Sequence, residues 1–439
     1  MPHAVIIGGG FAGVWSAAGA ALARARARAD GGGDLRITLI APGGHMVLRP
    51  RLYEPEPELA TVELGRILDP IGVEHLRAWV STIDTGRRVV VAGGREVGYD
   101  RLVLAAGSEL LRPRDLPGAR WLFDIDTLDG ARRLTDRLRG RDGYRAVVVG
   151  AGFVGLEAAT ALAARGRVLL VDRSQVVGDR LGPGPRAEIE SALDKLGVER
   201  RLGTTLTEAG DGFAVLSDGT RAEADAVVWC AGIRASGLTA QISDNLDHLG
   251  RVPVDRQLRA DPGVFAAGDT AAAAFDTGHT VMQACQHATP MGKVAGYNAA
   301  ADLLGLPPRD FTPGPYVTCL DLGAAGAIFT RGWDRRVMAS GPDGAAVKQR
   351  INQHIHPPVD DTAEILTAAD HVHIDLPFFP RAPKQPAPTA CAPPPAASAV
   401  RGSSRRPRGT ASAGGASDRH DQDGRQGWTC AGAERAGWA

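Results

Sequence analysis

The sequence lacks paired cysteines, an excess of charge and any long apolar run. Its five cysteines stand at positions 230, 285, 319, 391 and 430, without the spacing of a zinc knuckle or a disulfide framework, so we expect a reducing compartment. Fifty basic residues balance 50 acidic ones, and nothing favours a nucleic-acid partner. No apolar run approaches the roughly 20 residues that a membrane helix needs. The chain opens on the strand-like "HAVIIGGG", so we expect a cytoplasmic protein without a signal peptide.

The end of the chain differs in composition from the rest. Residues 380–439 contain no Leu, Ile or Phe and are rich in Pro, Ala, Gly, Ser and Arg. Such a segment cannot bury enough apolar surface to offset the entropy of ordering, and we expect residues 379–439 to be disordered. Three interpretations of this tail stay open: a solvated appendage, a basic segment that touches anionic partners, and an out-of-frame translation product.

The first glycine-rich turn follows the short apolar run Val5–Ile7. Gly8, Gly10 and Gly13 have the G-x-G-x-x-G spacing, which lets a diphosphate approach the backbone at the start of a helix. The next strand, "RITLI", ends at Ala41, and no acid follows before Glu54. This turn therefore predicts a dinucleotide site without the acid that usually binds the adenosine ribose.

The second glycine-rich turn has all of its expected parts. Gly150, Gly152 and Gly155 repeat the spacing, and the next strand, "RVLLVD", ends on Asp172. An acid at that place binds ribose hydroxyls and repels a 2′-phosphate, so NADH is preferred over NADPH. The adjacent Arg173 keeps NADPH open as a donor.

Three further segments favour two bound dinucleotides. "LVLAAGS" and "VVWCAGI" are strands that return past each nucleotide, and "VFAAGDTA" places Gly268 and Asp269 after a third strand. If one of the dinucleotides contains a flavin, Asp269 can accept a hydrogen bond from a hydroxyl of its ribityl chain. Residues 282–300 then predict a helix whose positive amino-terminal end could face the ring of that flavin.

With these motifs, the chain resembles the pyridine nucleotide–disulfide oxidoreductases, and within them the type II NADH dehydrogenases. The resemblance also rests on "HMVLRPRLYE" at 45–54 and on "CQHA" at 285–288, where those dehydrogenases carry an Ala-Gln-x-Ala motif near the quinone. It implies FAD as the cofactor, Glu157 near the nicotinamide, and Gln286 and His287 at a quinone site. The motifs and the resemblance together predict a cofactor-binding set of Gly8, Gly10, Phe11, Ala12, Gly13, Arg49, Ala106, Gly107, Gly150, Gly152, Phe153, Val154, Gly155, Asp172, Ala231, Gly232, Gly268 and Asp269.

Departures from the family patterns narrow the activity. No cysteine occurs before Cys230, which excludes a dithiol relay from the amino-terminal half and argues against a sulfide:quinone oxidoreductase. Residues 347–376 predict at best one short helix, without the amphipathic membrane-binding helices of the type II dehydrogenases. A peripheral contact at the inner face of a membrane and a homodimer stay open.

The predicted fold is α/β, with two Rossmann-like domains, a small carboxy-terminal α+β domain and a disordered tail. The FAD domain takes residues 1–115 and 245–312, the NAD(P)H domain 116–244 and the carboxy-terminal domain 313–378. The predicted function is electron transfer from NADH through FAD to a quinone or another small acceptor. A reductase of a small redox protein and a non-catalytic nucleotide sensor are the alternatives. "HIH" at 354–356 and "HVH" at 371–373 would put histidines on strand faces, but no metal site is expected.

Overall fold

The computed structural model of the protein describes residues 1–371. The predicted disordered tail, Cys391, Cys430 and the second half of the "HVH" segment lie outside the described residues.

The strands of the described chain are numbered in sequence order. They are β1 His3–Ile7, β2 Arg36–Ala41, β3 His45–Val47, β4 Thr61–Glu63, β5 Glu74–Arg77, β6 Val80–Asp84, β7 Val89–Ala92, β8 Arg95–Gly98, β9 Arg101–Leu104, β10 Ser108–Leu110, β11 Leu122–Phe123, β12 Tyr144–Val149, β13 Gly166–Asp172, β14 Glu199–Leu202, β15 Leu206–Gly210, β16 Phe213–Leu216, β17 Arg221–Glu223, β18 Ala226–Trp229, β19 Ile233–Ala235, β20 Val252–Pro253, β21 Arg259–Asp261, β22 Val264–Ala266, β23 Ala271–Ala272, β24 Val317–Asp321, β25 Ala327–Arg331 and β26 Arg336–Ala339.

The α-helices of the same part of the chain are numbered likewise. They are α1 Phe11–Ala29, α2 Gly65–Leu68, α3 Leu128–Leu138, α4 Phe153–Leu162, α5 Arg186–Lys195, α6 Cys285–Leu304, α7 Gly341–His354 and α8 Thr362–Asp370.

The first large sheet carries the first glycine turn. Its strand order is β21-β22-β9-β1-β2-β5, and β1 pairs in parallel with both β2 and β9. Val5 and Ile6 of β1 are fully buried, as expected for a central parallel strand that is covered on both faces. Since the turn follows β1, it lies at the carboxyl edge of the sheet, where open α/β sheets bind their ligands.

The second large sheet repeats this arrangement around the second turn. Its five strands run in the order β11-β18-β12-β13-β14, and β12 pairs in parallel with β13 and β18. All its strands fall within residues 122–229, between the two segments, 3–104 and 259–266, that supply the first sheet. Two Rossmann-like sheets are therefore confirmed, whereas the exact domain boundaries stay predictions.

Helices α1 and α6 pack closely against each other beside the first sheet. A Cβ on Gly292 would overlap the Ala12 carbonyl, and one on Gly296 would overlap the Ser16 carbonyl. Small residues thus let the two backbones approach each other, as at other close helix crossings. The packing holds the start of α6 near the first glycine turn.

The carboxy-terminal segment combines a small sheet with two helices. Strands β24, β25 and β26 form an antiparallel sheet, and α7 packs against β24 and β25. The prediction of at most one short helix over 347–376 was wrong, since α7 and α8 both lie there. The "HIH" strand was also wrong, because His354 is the last residue of α7.

The described residues bear on the start of one predicted helix, on membrane spans and on metal sites. The predicted helix at 282–300 begins three residues later, at Cys285, after an extended Ala284. Within residues 1–371, no helix is long and apolar enough to cross a bilayer, and no three His, Cys, Asp or Glu side chains cluster to hold a metal ion.

Candidate functional site

The first glycine turn leaves room for a phosphate group. Gly8 has a φ of 120°, which a residue with a side chain rarely adopts. A Cβ on Gly13 would overlap the Gly8 carbonyl, whereas one on Gly10 would meet no atom within 4 Å. Gly10 is the N-cap of α1 and supplies no capping side chain, and the first turn of the helix holds no acid. Free N–H groups therefore face open space, and the turn fits a dinucleotide diphosphate.

The second glycine turn has the same geometry and adds an acid. Gly150 has a φ of 108°, and a Cβ on Gly152 would again meet nothing within 4 Å. Asp172 accepts hydrogen bonds from the backbone N–H of Ala151, at 2.6 Å, and of Ser174, at 2.7 Å. The carboxylate is thus fixed beside the turn, where the ribose of a second dinucleotide would lie.

A cavity of about 350 Å³ connects the first turn with the start of α4 and with the carboxy-terminal segment. Ten residues of the predicted site line it: Gly10, Phe11, Ala12, Arg49, Gly107, Phe153, Val154, Glu157, Asp269 and Gln286. The remaining predicted residues do not line the cavity. They lie in the two glycine turns and the first helical turns after them, at or just after strand ends, or, for His287, in α6: Gly8, Gly13, Ala106, Gly150, Gly152, Gly155, Asp172, Ala231, Gly232, Gly268 and His287.

Arg49 is the centre of a polar network at one wall of the cavity. Its guanidinium forms an ion pair with Asp126 and donates to Ser108 Oγ at 3.0 Å. Ser108 Oγ in turn donates to Asp269 Oδ2 at 2.6 Å. Burial raises the pKa of Asp126, and the charge of Arg49 opposes this rise. Ser108 and Asp126 were missed by the sequence analysis, because only the fold brings them to Arg49.

Glu157 and Lys348 form a buried ion pair that also lines the cavity. Glu157 Oε1 lies 2.8 Å from Lys348 Nζ, and each side chain is 8% exposed. The backbone N–H of Asp321 also donates to Glu157 Oε1, at 3.1 Å. Burial lowers the pKa of Lys348, but the charge of Glu157 and the hydrogen bond to it outweigh burial and raise this pKa above its usual value. Lys348 was also missed, since nothing in the sequence links α7 to α4.

Gln286 lies at the start of α6 and is bound to the backbone of β24. Its Nε2 donates to the Val317 carbonyl at 2.6 Å, and its Oε1 accepts from the Val317 N–H at 3.2 Å. The two bonds fix α6 to the strand that forms the far wall of the cavity. Nε2 keeps a second N–H and Oε1 a second lone pair, so the amide could bind a ligand group without giving up either bond.

His287 is buried and does not line the cavity. Its Nδ1 lies 3.0 Å from the backbone nitrogen of Met282, and its buried Nε2 has no hydrogen-bond partner among the described residues. Burial lowers the pKa of His287 to about 4. The ring is therefore neutral at pH 7, which leaves it without a proton to give from an imidazolium.

Two cysteines line the cavity without being activated. Burial raises the thiol pKa of Cys285 to about 11 and that of Cys319 to about 12. A thiolate is the reactive form, so these side chains act as small apolar groups at neutral pH.

Known proteins resemble the chain over most of its length. The pyridine nucleotide-disulphide oxidoreductase family matches residues 2–292. A NADH dehydrogenase-like protein of Mycobacterium tuberculosis is 43% identical over 394 residues, which cover 84% of this chain and 98% of that protein. The type II NADH:quinone oxidoreductase Ndh of the same species is 30% identical, covering 71% of this chain and 75% of Ndh.

A solved structure extends the similarity to the fold. The ferredoxin reductase for the CYP199A2 system of Rhodopseudomonas palustris matches with a TM-score of 0.63 and 25% sequence identity. The match covers 76% of this chain and 82% of that chain.

Proposed function

Since this chain belongs to the pyridine nucleotide-disulphide oxidoreductase family, whose members bind FAD and NAD(H), we propose that it is a NADH:quinone oxidoreductase with FAD as its cofactor. That it is an NAD(P)H-dependent oxidoreductase of the flavoprotein type follows from the family. The preference for NADH and the quinone acceptor go beyond what the family shows. The observation that carries the proposal is the cavity, whose lining is mostly apolar and includes the buried Glu157–Lys348 pair.

Each of the two glycine turns binds one nucleotide. The turn at Gly8–Gly13 holds FAD, because the cavity begins at Gly10, Phe11 and Ala12 and continues past Asp269. The turn at Gly150–Gly155 holds NADH, and Asp172 accepts from its ribose hydroxyls. A 2′-phosphate would place negative charge against that carboxylate, so NADPH binds less well.

Bound flavin would supply the redox chemistry, because its ring can take a hydride from a nicotinamide and release the electrons to an acceptor. The protein's own residues would orient the two nucleotides and shield them from water. Arg49 holds Asp126 and, through Ser108, Asp269 in one network, which fixes the polar wall. Phe153 and Val154, at the start of α4, close the cavity on the side of the NADH turn.

The acceptor end of the cavity suits a flat apolar molecule with carbonyl groups. Helix α7 and the residue after it line this end with Lys348, Ile351, Asn352 and Ile355, spaced as one face of a helix. The Lys348 ammonium can donate a hydrogen bond to a quinone carbonyl, and Glu157 keeps it charged. Gln286 fixes β24, the strand that forms the facing wall.

A panel of acceptors tests the proposal. Purified protein should contain FAD and should oxidise NADH faster with menadione and a ubiquinone analogue than with ferredoxin. Ferricyanide measures flavin turnover independently of the acceptor site. Rapid turnover with ferricyanide and none with either quinone would contradict a quinone acceptor.

A reductase of a small redox protein is the second candidate. The similarity to a ferredoxin reductase, at 25% identity over most of both chains, favours it. Faster turnover with ferredoxin than with quinones in the same panel would select it. If the protein oxidises NADH with none of these acceptors, the nucleotide-sensing alternative is left.

A further inference from the structure

The two glycine turns carry opposite chemistry at the edge where the adenosine of each nucleotide would lie. In the second sheet the acid Asp172 ends β13 and pairs in register with Leu202 at the end of β14. In the first sheet Ala41 ends β2 and pairs in register with Arg77 at the end of β5. An acid beside an apolar residue in one sheet thus corresponds to a small residue beside a cation in the other.

The guanidinium of Arg77 lies against the loop that follows β2. A Cβ on Gly44, three residues after Ala41, would overlap Arg77 Nη2, so the absence of a side chain there gives the guanidinium its place. Arg77 is exposed, and in the described chain no residue forms an ion pair or hydrogen bond with its guanidinium. Its neighbour on the same face, His75, is already engaged, because Nε2 lies 3.2 Å from the Ala41 carbonyl.

The end of β2 itself offers no acid. Burial of Ala41 against Gly9 leaves only a methyl group at the end of β2. In the second site the corresponding carboxylate binds the backbone N–H of Ala151, which is the residue that corresponds to Gly9 in the first turn. A ribose bound at the first turn would therefore find a donor where the second turn offers an acceptor.

We infer that Arg77 replaces the ribose-binding acid in the first dinucleotide site and donates hydrogen bonds to the ribose hydroxyls of the FAD adenosine. A hydroxyl oxygen can accept as well as donate, so the same ribose satisfies either partner. This inference rests on the proposed function, which places FAD at the first turn.

Flavin affinity, rather than turnover, tests the role of Arg77. In Arg77→Leu the dissociation constant for FAD, measured by flavin fluorescence on reconstitution, should rise about tenfold. Arg95→Leu removes another exposed arginine, on β8, and should leave the constant unchanged. The second site is an internal control, and its affinity for NADH should be equal in all variants.

A rescue variant copies the second site into the first. Ala41→Asp combined with Arg77→Leu recreates the Asp172–Leu202 pair, since Asp at 41 could accept from the Gly9 N–H. Most of the lost FAD affinity should return. If this double variant does not fold, an FAD analogue with a 2′,3′-dideoxyadenosine tests the inference instead. The analogue should bind the wild type about tenfold more weakly than FAD does. Arg77→Leu should bind the analogue and FAD equally well.

The outcomes separate this inference from the proposed function. An unchanged FAD affinity of Arg77→Leu would overturn the role of Arg77, and so would an equal effect of the dideoxy analogue on wild type and variant. Wild-type protein that neither contains nor binds FAD would instead contradict the proposed function.

Discussion

Glu157 and Lys348 are 191 positions apart in the chain, yet their charged atoms lie 2.8 Å apart inside the protein. The pair joins α4, which follows the second glycine turn, to α7 in the carboxy-terminal segment. It therefore connects the predicted NADH side with the predicted acceptor side of one cavity.

Removing one member of this pair should destabilise the protein more than removing both. Lys348→Met leaves a buried carboxylate without its cation, and such changes cost about 3–5 kcal/mol in the free energy of unfolding. Glu157→Gln with Lys348→Met should recover a large part of that loss. Urea unfolding of the single and double variants measures this coupling, and strictly additive losses would show that the two side chains do not interact.

Asp172 should set the preference for NADH. Asp172→Ala removes the charge that faces a 2′-phosphate, whose repulsion weakens NADPH binding by about 1–3 kcal/mol. The ratio of kcat/KM for NADH to that for NADPH should therefore fall about tenfold or more. Asp172→Asn is the matched control for the hydrogen bonds to Ala151 and Ser174, and it should shift the ratio in the same direction. An unchanged ratio in both variants would place the discrimination elsewhere.

Gln286 should matter to the acceptor half-reaction alone. In Gln286→Ala the link between α6 and Val317 is lost, so quinone turnover should fall severalfold while anaerobic flavin reduction by NADH stays nearly unchanged. Stopped-flow absorbance measures each half-reaction separately. Equal losses in both, or no loss in either, would remove this helix from the acceptor site.

His287 should make the protein less stable in acid. Burial lowers its pKa to about 4 in the folded state, whereas the unfolded chain takes up the proton near 6.5. The stability that depends on the neutral ring is therefore present above pH 6.5 and is lost as the pH falls toward 4, by about 3 kcal/mol. His287→Asn should flatten this part of the pH dependence of urea unfolding, and an equal slope in both proteins would contradict a buried neutral ring.

Local patterns predicted the two turns well, because a strand, three spaced glycines and a helix lie within about 20 residues. Asp172 was found in the same way, from its place at the end of a strand. Lys348, Ser108 and Asp126 could not be found, since their partners Glu157 and Arg49 are distant in sequence and only tertiary packing brings them together. The start of α6 was placed too early because Ala284 is extended, so the helical backbone begins only at Cys285.

The assignment of one nucleotide to each turn is tested most directly by valine at the second glycine of each motif. Neither Gly10 nor Gly152 has an atom within 4 Å of where a Cβ would stand, so Gly10→Val and Gly152→Val should both fold and only fill the space meant for phosphate. Absorbance spectra before and after anaerobic addition of NADH measure both sites at once. We expect Gly10→Val to be colourless, and Gly152→Val to keep its full yellow flavin spectrum yet fail to bleach with NADH. A Gly10→Val protein with full flavin content, or a Gly152→Val protein that bleaches as fast as wild type, would contradict the assignment.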